Sequence, residues 1–496
     1  MLDEYRREYA DFHTAYTREQ YLFLSGQKNN LQLEPIYDRY GDLFSRDSVA
    51  RLKQAVDDTP EHFETERAAL HRLFALAAEQ FLESSVKELT QEINEYEAAA
   101  TARVMHREMT FQDSAIAISS EPERGMRRAI YEKRLGIIEA SNDLRAERLT
   151  KLHDAARALG YANYAVLFEA LRRLNYETVA RDAEALLSRT ESRYVARLNE
   201  ALKRHLGFGI EEATRPDSIY FIHLAEFDDR FPADRLLEVY GETMAGLGIR
   251  IQSQQNITID KEPRPHKSSR AFCLPVSVPG DIKLVIRPVG GQTDYQALFH
   301  ESGHAQHYAW ASEGLRVEFR YTGDYALTET YAFLFNHLIS DGPWLASFLN
   351  FQESREFIRS VMLTRLLIVR RYVAKLTYER DLHVSGDLTR SADTYATLQT
   401  EATKFTTGPT EFLYDMDDSF YSASYLRAWA FEVTLREHLK SRFGQRWWAS
   451  RGAGNFLKEI WETGDRYTAD EMASQIGIGP ITLDPLIDEF NESLRG

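Results

Sequence analysis

The sequence predicts a mainly α-helical protein that carries one small β-sheet. Apolar residues recur at three- and four-residue steps over long stretches, and one stretch, residues 271–287, combines β-forming residues with turn residues. The 496 residues include only 26 Gly and 14 Pro, and no Gly/Ser-rich, Pro-rich or single-charge tract marks a linker. We therefore expect one continuous helical body, in which any division is into lobes.

Two apolar stripes predict long amphipathic helices. The first stripe ends just before Gly207, a residue typical of a helix C-terminus. We expect both faces to pack against other helices and assign no chemistry to them. The stripes consist of Ala183, Leu186, Leu187, Thr190, Tyr194, Leu198, Ala201 and Leu202 in one helix, and Leu70, Phe74, Ala77, Phe81, Leu89 and Ile93 in the other.

Residues 271–278 and 282–287 predict a β-hairpin. Both runs are rich in β-forming residues, and the Pro279-Gly280 pair between them suits a tight turn. Pro275 has no N–H to donate, so the first strand is expected at a sheet edge or bulged at that position. The hairpin directly precedes a helical stretch at residues 294–310.

The composition excludes several functional classes. Sixty Lys and Arg against 76 Asp and Glu give a formal charge of -16, the wrong sign for a general nucleic-acid binder. The single cysteine, Cys273, excludes an intramolecular disulfide, and no stretch approaches the ~18 to 20 apolar residues of a membrane-spanning helix. The first residues, MLDEYRREYADFH, lack the basic and apolar regions of a signal peptide. We expect a cytoplasmic protein without nucleic-acid or membrane partners.

The sequence H-E-x-x-H follows the hairpin, within the helical stretch 294–310. Because an α-helix turns about 100° per residue, His300 and His304 lie about 40° apart and one turn along the same face. Both imidazoles can therefore reach one metal ion. Glu301 lies beside them, about 60° from His304, where it can act on a water at the metal without being a ligand.

A catalytic zinc also needs a third protein ligand and an open position for water. The metzincin pattern is excluded, because it requires Gly at 307 and His at 310, where this chain has His307 and Trp310. The best candidate is Glu329, in the second turn of a helix that Asp324 can cap. The set predicts one Zn²⁺ per chain.

Three other residues remain open as alternatives. Glu313 and Glu318 lie in the segment that connects the two helices, and either carboxylate can serve as a zinc ligand. His307 lies near the same helix face as the two histidines. It can serve as a third ligand or as a packing residue next to the site.

These motifs resemble the thimet-oligopeptidase and oligoendopeptidase-F family of zinc metallopeptidases. The family carries H-E-x-G-H, matched here with Gly303, often with a further His that His307 matches, and its ligand Glu follows the second His by 25 residues, at Glu329 here. Similarity extends to residues 156–167 and 270–278, and covers most of residues 125–490. The resemblance implies a zincin-like fold of two mostly helical lobes around a deep central channel. We place the lobes at 1–215, N-terminal, and 216–496, zinc-binding and catalytic.

The resemblance also implies catalytic tyrosines near the C-terminus. The family places phenols beside the scissile carbonyl from a segment that residues 419–429, SFYSASYLRAW, resemble. Tyr425 is the implied catalytic donor, and Tyr421 and His307 are assigned to substrate binding. The chain departs from the family at Met416 and Asp415, where a His is usual, and at Ala428, where the thimet-type enzymes have a further Tyr.

The implied activity is hydrolysis of internal bonds in short unstructured peptides, with Glu301 as general base and residues 271–278 holding the peptide by strand addition. Two alternatives stay open. A dipeptidyl-carboxypeptidase or carboxypeptidase of related fold would need a cation for the terminal carboxylate, such as Arg427 or Arg320. A peptide-binding protein that keeps zinc with little turnover is the other. We expect a monomer or a homodimer.

Overall fold

The computed structural model describes residues 2–268 and 270–495 and confirms the mainly helical fold. None of the helices in these ranges is both long and apolar enough to cross a membrane. The helices are α1 Leu2–Leu24, α2 Glu34–Tyr40, α3 Arg46–Asp58, α4 Glu64–Ala99, α5 Phe111–Ser120, α6 Arg124–Ala158, α7 Tyr164–Arg172, α8 Tyr176–His205, α9 Arg215–His223, α10 Leu236–Gly246, α11 Gln292–Trp310, α12 Glu318–Tyr321, α13 Tyr325–Asn336, α14 Gly342–Phe348, α15 Arg355–Ser385, α16 Leu388–Thr403, α17 Tyr421–Phe443, α18 Arg451–Trp461, α19 Ala469–Gln475 and α20 Asp484–Ser493.

Two small sheets interrupt the helices. Strands β1, Thr101–Val104, and β2, Arg107–Thr110, form an antiparallel hairpin in addition to the one small sheet that the sequence predicts. The second sheet has the strand order β3-β5-β4. Its strands are β3 Ile257–Asp260, β4 Phe272–Ser277 and β5 Asp281–Val285.

The predicted hairpin is confirmed as β4 and β5. The two strands pair antiparallel, with Phe272 opposite Val285 and Pro275 opposite Ile282. The register shifts between Pro275 and Ser277, and β4 lies at the edge of the sheet, as the missing N–H of Pro275 requires. Strand β3, which pairs parallel to β5, was not predicted from its four residues.

The chain forms two compact units, each assembled from three segments. Unit 1 comprises Met1–Ala78, Glu226–Ile358 and Arg427–Pro485, and unit 2 comprises Glu79–Ala225, Arg359–Leu426 and Leu486–Gly496. The predicted boundary between residues 215 and 216 falls inside α9 and within unit 2. Four of the five boundaries between these segments lie inside helices, namely α4, α15, α17 and α20. Because one helix continues across each of these boundaries, the sequence shows no break in composition there.

Helix α8 in unit 2 confirms the first apolar stripe. Its buried residues recur at three- and four-residue steps, which gives one continuous packing face. Gly207 follows the helix with a φ of 80°, the left-handed conformation that ends many helices. The buried residues are Tyr176, Ala180, Ala183, Leu186, Thr190, Tyr194, Leu198 and Leu202.

In unit 1, α11 and α13 pack so closely that their backbones meet at Gly303. A Cβ atom on this residue would lie 2.4 Å from the carbonyl oxygen of Tyr331 and 2.5 Å from the Cα of Ala332. Real Cβ atoms do not approach backbone atoms this closely. Glycine at position 303 therefore sets the separation of the two helices.

Replacing Gly303 with alanine is expected to force α11 and α13 apart, because the new methyl group would meet backbone atoms that no side-chain rotation can move. The free energy of unfolding should fall by at least about 3 kcal/mol, the upper end of ordinary overpacking costs. Urea denaturation measures it. The matched control is Gly136→Ala in α6, where nothing lies within 4 Å of the new Cβ. That change should be neutral or stabilise by about 0.5 to 1 kcal/mol, and a Gly303→Ala protein as stable as wild type would contradict the packing argument.

Candidate metal centre

The two histidines of the H-E-x-x-H sequence and Glu329 form a cluster in unit 1. One potential ligand atom from each of His300, His304 and Glu329 lies within 4.8 Å of the others. The His300 Nε2 atom is 3.4 Å from Oε2 of Glu329, and the His304 Nε2 atom is 3.6 Å from Oε1. The cluster is largely shielded from solvent, with Glu329 only 3% exposed.

These separations fit a tetrahedral metal. Nitrogen and oxygen ligands that are each about 2.0 to 2.1 Å from a zinc ion lie roughly 3.3 to 3.4 Å apart across a tetrahedral angle. The observed 3.4 and 3.6 Å match this edge length within a few tenths of an ångström. Two imidazoles and one carboxylate are also a donor set found in catalytic zinc sites, so the residues fit the ion that the sequence predicts.

His304 is oriented by a residue that sequence analysis missed. Its Nδ1 atom is 2.8 Å from the hydroxyl oxygen of Thr328, which directly precedes Glu329 on α13. If Nδ1–H donates to this hydroxyl, Nε2 is left as the unprotonated atom that faces the cluster. Burial lowers the pKa of His304 to about 4, against the opposing effect of Glu329, which keeps the ring neutral as a metal ligand must be.

His300 and Glu329 interact directly. Burial lowers the pKa of His300, but the hydrogen bond to Glu329 and the charge of that carboxylate outweigh burial, and the net pKa is raised. The ring of His300 also packs on Phe333, with ring centroids 5.2 Å apart. Phe333 in turn stacks on Trp429 with ring centroids 4.9 Å apart, so two aromatic rings support the side chain of His300.

Glu301 lies next to the cluster and is not one of its three members. Burial raises its pKa to about 7, with the charge of Glu329 adding to the effect and His300 opposing it. A hydrogen bond with the backbone of Cys273, on edge strand β4, lowers the pKa by a smaller amount. A carboxyl group with a pKa near neutrality can both take up and release a proton, as a general base in peptide hydrolysis must.

The local sequence explains how α11 begins. Gly291, with a φ of 89°, turns the chain into α11, and the carboxylates of Asp294 and Asp228 accept the backbone N–H groups of Val289 and Gln292 at 2.6 and 3.1 Å. The bond to Asp228 satisfies an N–H group that the first turn of the helix leaves without a partner, and Asp294, in that turn, ties the preceding loop to the helix. The sheet formed by β3, β4 and β5 packs against the side of α11.

Asp324 caps α13, as the sequence predicted. Its carboxylate accepts the N–H of Ala326 at 3.0 Å and also the N–H of Ala469, at the start of α19, at 3.0 Å. Arg427 pairs with Asp324 at 3.0 Å and with Asp470 at 2.5 Å. The guanidinium of Arg427 is therefore engaged in holding α13 and α19.

The alternative ligands lie elsewhere. Glu318 is fully buried and pairs with Arg6 at 2.9 Å, and Glu313 is exposed. His307 is 1% exposed, its Nε2 atom is 3.2 Å from the carbonyl oxygen of Gly464, and its ring packs on Tyr331. A side chain enclosed in this way has no surface to offer a peptide. This placement favours packing over the substrate-binding role that was assigned to His307.

The predicted catalytic tyrosines lie at the start of α17, in unit 2. The rings of Tyr421 and Tyr425 meet edge to face with centroids 5.0 Å apart. Tyr372 on α15, which sequence analysis missed, contacts Tyr425 in the same manner at 5.1 Å. Asp415 is one of the two positions at which the family that the sequence resembles usually has a histidine. It forms an ion pair with Arg371 and accepts a hydrogen bond from the phenol of Tyr395.

Solved structures match this chain over almost its whole length. A Bacillus anthracis str. Ames protein described as an oligoendopeptidase F aligns with a TM-score of 0.68 at 15% sequence identity, over 98% of this chain and 89% of that one. PZ peptidase A in a structure with an inhibitor aligns with a TM-score of 0.67 at 16% identity, over 98% and 90%. The fold is that of oligoendopeptidase F. No family model and no curated protein matches the sequence, so the resemblance found in the motifs is confirmed at the level of the fold.

The geometry leads us to expect one zinc ion per chain, held through Glu329. Glu329→Ala should lower zinc affinity by more than the roughly 10- to 100-fold typical of losing a partner outside the ligand set. Thr328→Val, which removes such a partner of His304, should fall within that range. Elemental analysis and calorimetric titration with zinc measure both. Glu313→Ala is the matched control, because it removes an exposed glutamate from the same stretch; if it released zinc while Glu329→Ala did not, the ligand assignment would be wrong.

Proposed function

We propose that this protein is a zinc-dependent oligopeptidase that hydrolyses internal bonds of short unstructured peptides. The observation that supports it most is the cluster of His300, His304 and Glu329, with Glu301 beside it, on the fold of oligoendopeptidase F. Because a fold hosts many activities, the donor set and the adjacent base carry the argument, and the fold adds a precedent. A cytoplasmic location is part of the proposal.

A zinc ion held by the three residues supplies Lewis acidity and makes a water more acidic. Glu301 takes the proton of the attacking water and passes it to the departing amine nitrogen. Its burial and its pKa of about 7 suit both halves of this transfer. The backbone of Cys273 keeps the carboxylate directed toward β4, the edge strand along which a peptide would lie.

Tyr425 is proposed to donate a hydrogen bond to the oxygen that becomes negative as water attacks the carbonyl. Tyr421, one helical turn earlier, is proposed to contact the peptide. Both roles come from the resemblance to the family, and the edge-to-face packing of the two rings gives them a fixed mutual orientation.

The carboxypeptidase alternative needs a cation that is available to a terminal carboxylate. Arg427, one of the two candidates, already pairs with two carboxylates, which argues against this role for it. Arg320 donates to the carbonyl oxygen of Val278 at 3.1 Å and remains the other candidate. The enclosed channel that the resemblance implies would favour short peptides over folded proteins, whichever bond is cut.

The function is tested with peptides of increasing length that share one cleavage sequence, beside a stable folded protein that displays the sequence on a loop. We expect internal cleavage of the peptides and none of the folded protein, read by mass spectrometry. Glu301→Gln is the control: the amide cannot accept a proton, so turnover should be lost while zinc and fold remain. Release of C-terminal dipeptides only would favour the carboxypeptidase, and binding without products would favour the peptide-binding protein.

Tyr425→Phe should lower kcat by about 10²- to 10³-fold with little change in KM, because a hydrogen bond made mainly in the transition state is lost while the ring still packs. Steady-state kinetics on one of the cleaved peptides measures the effect. Tyr421→Phe is the companion variant and should act mainly on KM. A loss of kcat below about threefold for Tyr425→Phe would assign that ring to packing and transfer the catalytic role to Tyr421.

A further inference from the structure

A strained turn leads into the helix that carries Tyr421 and Tyr425. Ser419 (φ 62°, ψ 17°) and the next residue, Phe420 (φ 54°), both have the left-handed backbone conformation. Two consecutive non-glycine residues in this region are unusual, since L-residues visit it singly and at a cost. Such a conformation persists only where the surrounding structure holds it in place.

Contacts with α6, α7 and α8 hold the turn that contains the two strained residues. Arg148 grips Asp418 through two hydrogen bonds, at 3.1 and 2.7 Å, and the N–H of Ser419 donates to the phenol oxygen of Tyr164 at 3.0 Å. Phe420 is 1% exposed and stacks on Tyr176 with ring centroids 4.2 Å apart. These contacts fix the turn but do not reach α17 itself.

Glu379 bonds one residue before the strained pair and one residue after it. One carboxylate oxygen accepts the N–H of Asp417 at 2.6 Å, and the other accepts the hydroxyl of Ser422, in the first turn of α17, at 2.6 Å. A single buried side chain therefore ties Asp417, two residues before the strained pair, to Ser422, two residues after it. Lys375 pairs with Asp417 at 2.7 Å and supplies a positive charge beside the carboxylate.

The helix that carries Glu379 also contacts the catalytic candidate. Tyr372, Lys375 and Glu379 are spaced three and four residues apart, so they lie along one face of α15. Tyr372 contacts the ring of Tyr425, and Glu379 accepts the hydroxyl of Ser422, three residues before Tyr425 in the same helix. The same face thus constrains both the helix start and the ring.

We infer that Glu379 is a positioning residue, which holds the first turn of α17 so that the phenol of Tyr425 keeps a fixed place and direction. The inference rests on the proposed function for its catalytic consequence. A displacement of a catalytic donor of about 1 Å can cost on the order of 10² in rate, so loss of this anchor would be felt in turnover.

Four variants test the role. Glu379→Ala removes both hydrogen bonds, whereas Glu379→Gln keeps them, because the amide oxygen accepts from Asp417 and the amide N–H donates to the oxygen of Ser422. Ser422→Ala removes one bond and replaces Glu379→Ala if that protein does not fold. Asp217→Ala is the matched control: Asp217 is fully buried in unit 2 and accepts both the N–H and the hydroxyl of Thr214, at 3.1 and 2.8 Å, at the start of α9.

The first readout does not depend on activity. With 3-fluorotyrosine in place of the 26 tyrosines, fluorine NMR signals of Tyr421 and Tyr425 are assigned from their Phe variants. Both signals should shift or broaden in Glu379→Ala and stay near wild type in Glu379→Gln and in the Asp217 control. Unchanged signals in Glu379→Ala would overturn the inference, and this holds even if the wild-type protein hydrolyses no peptide and the proposed function fails.

The second readout is a double-mutant cycle on peptide hydrolysis. Glu379→Ala should lower kcat by about tenfold or more with KM within about threefold, and Glu379→Gln should recover most of the loss. In the Tyr425→Phe background, Glu379→Ala should cost less than about threefold further, because the group it positions is already absent. A full, multiplicative loss in that background would overturn the inference, since Glu379 would then act through another group.

Discussion

The backbone contact of α11 with α13 at Gly303 is the constraint on which the site depends. Two of the proposed zinc ligands come from one helix and the third from another, and tetrahedral coordination would tolerate only a few tenths of an ångström in their separation. A side chain at position 303 would add more than that to the distance between the helices. The sheet against α11, and the cap and ion pairs of Asp324 on α13, then hold the two helices in this arrangement.

The same packing explains the electrostatics. Glu329 is nearly inaccessible to water, and a buried carboxylate is tolerated only where partners compensate its lost hydration. His300 is such a partner, with its Nε2 atom 3.4 Å from Glu329, and the raised pKa of His300 reflects this interaction. The charge of Glu329 also raises the pKa of Glu301, so one carboxylate helps to tune another. The geometry of the proposed ligands and the raised pKa of the proposed base, Glu301, therefore have a common origin.

Local periodicity made part of this structure predictable. The angles of an α-helix place His300, Glu301 and His304 from sequence alone, and the missing N–H of Pro275 places β4 at an edge. Glu329 lies on a separate helix, so its selection over Glu313 and Glu318 rested on the predicted helix that Asp324 caps, and the spacing of a known family added support. Nothing local marks the two units, because the chain passes between them inside continuous helices. The contacts of Glu379 could not be predicted for a similar reason, since its partners Asp417 and Ser422 are distant in sequence.

The edge strand shows how the first helix bears on the proposed chemistry. His13 on α1 makes a 2.8 Å hydrogen bond with the carbonyl oxygen of Pro275. Beyond it, Arg320 and Tyr321 of α12 bond the C=O and N–H of Val278 at 3.1 and 3.3 Å. A peptide that adds to a sheet needs such backbone groups unoccupied. These contacts leave only the residues of β4 before Pro275 for pairing, and among them the backbone of Cys273 already bonds Glu301. An added peptide strand would therefore lie before Pro275, next to the proposed general base, and would pair through backbone groups other than the one that bonds Glu301.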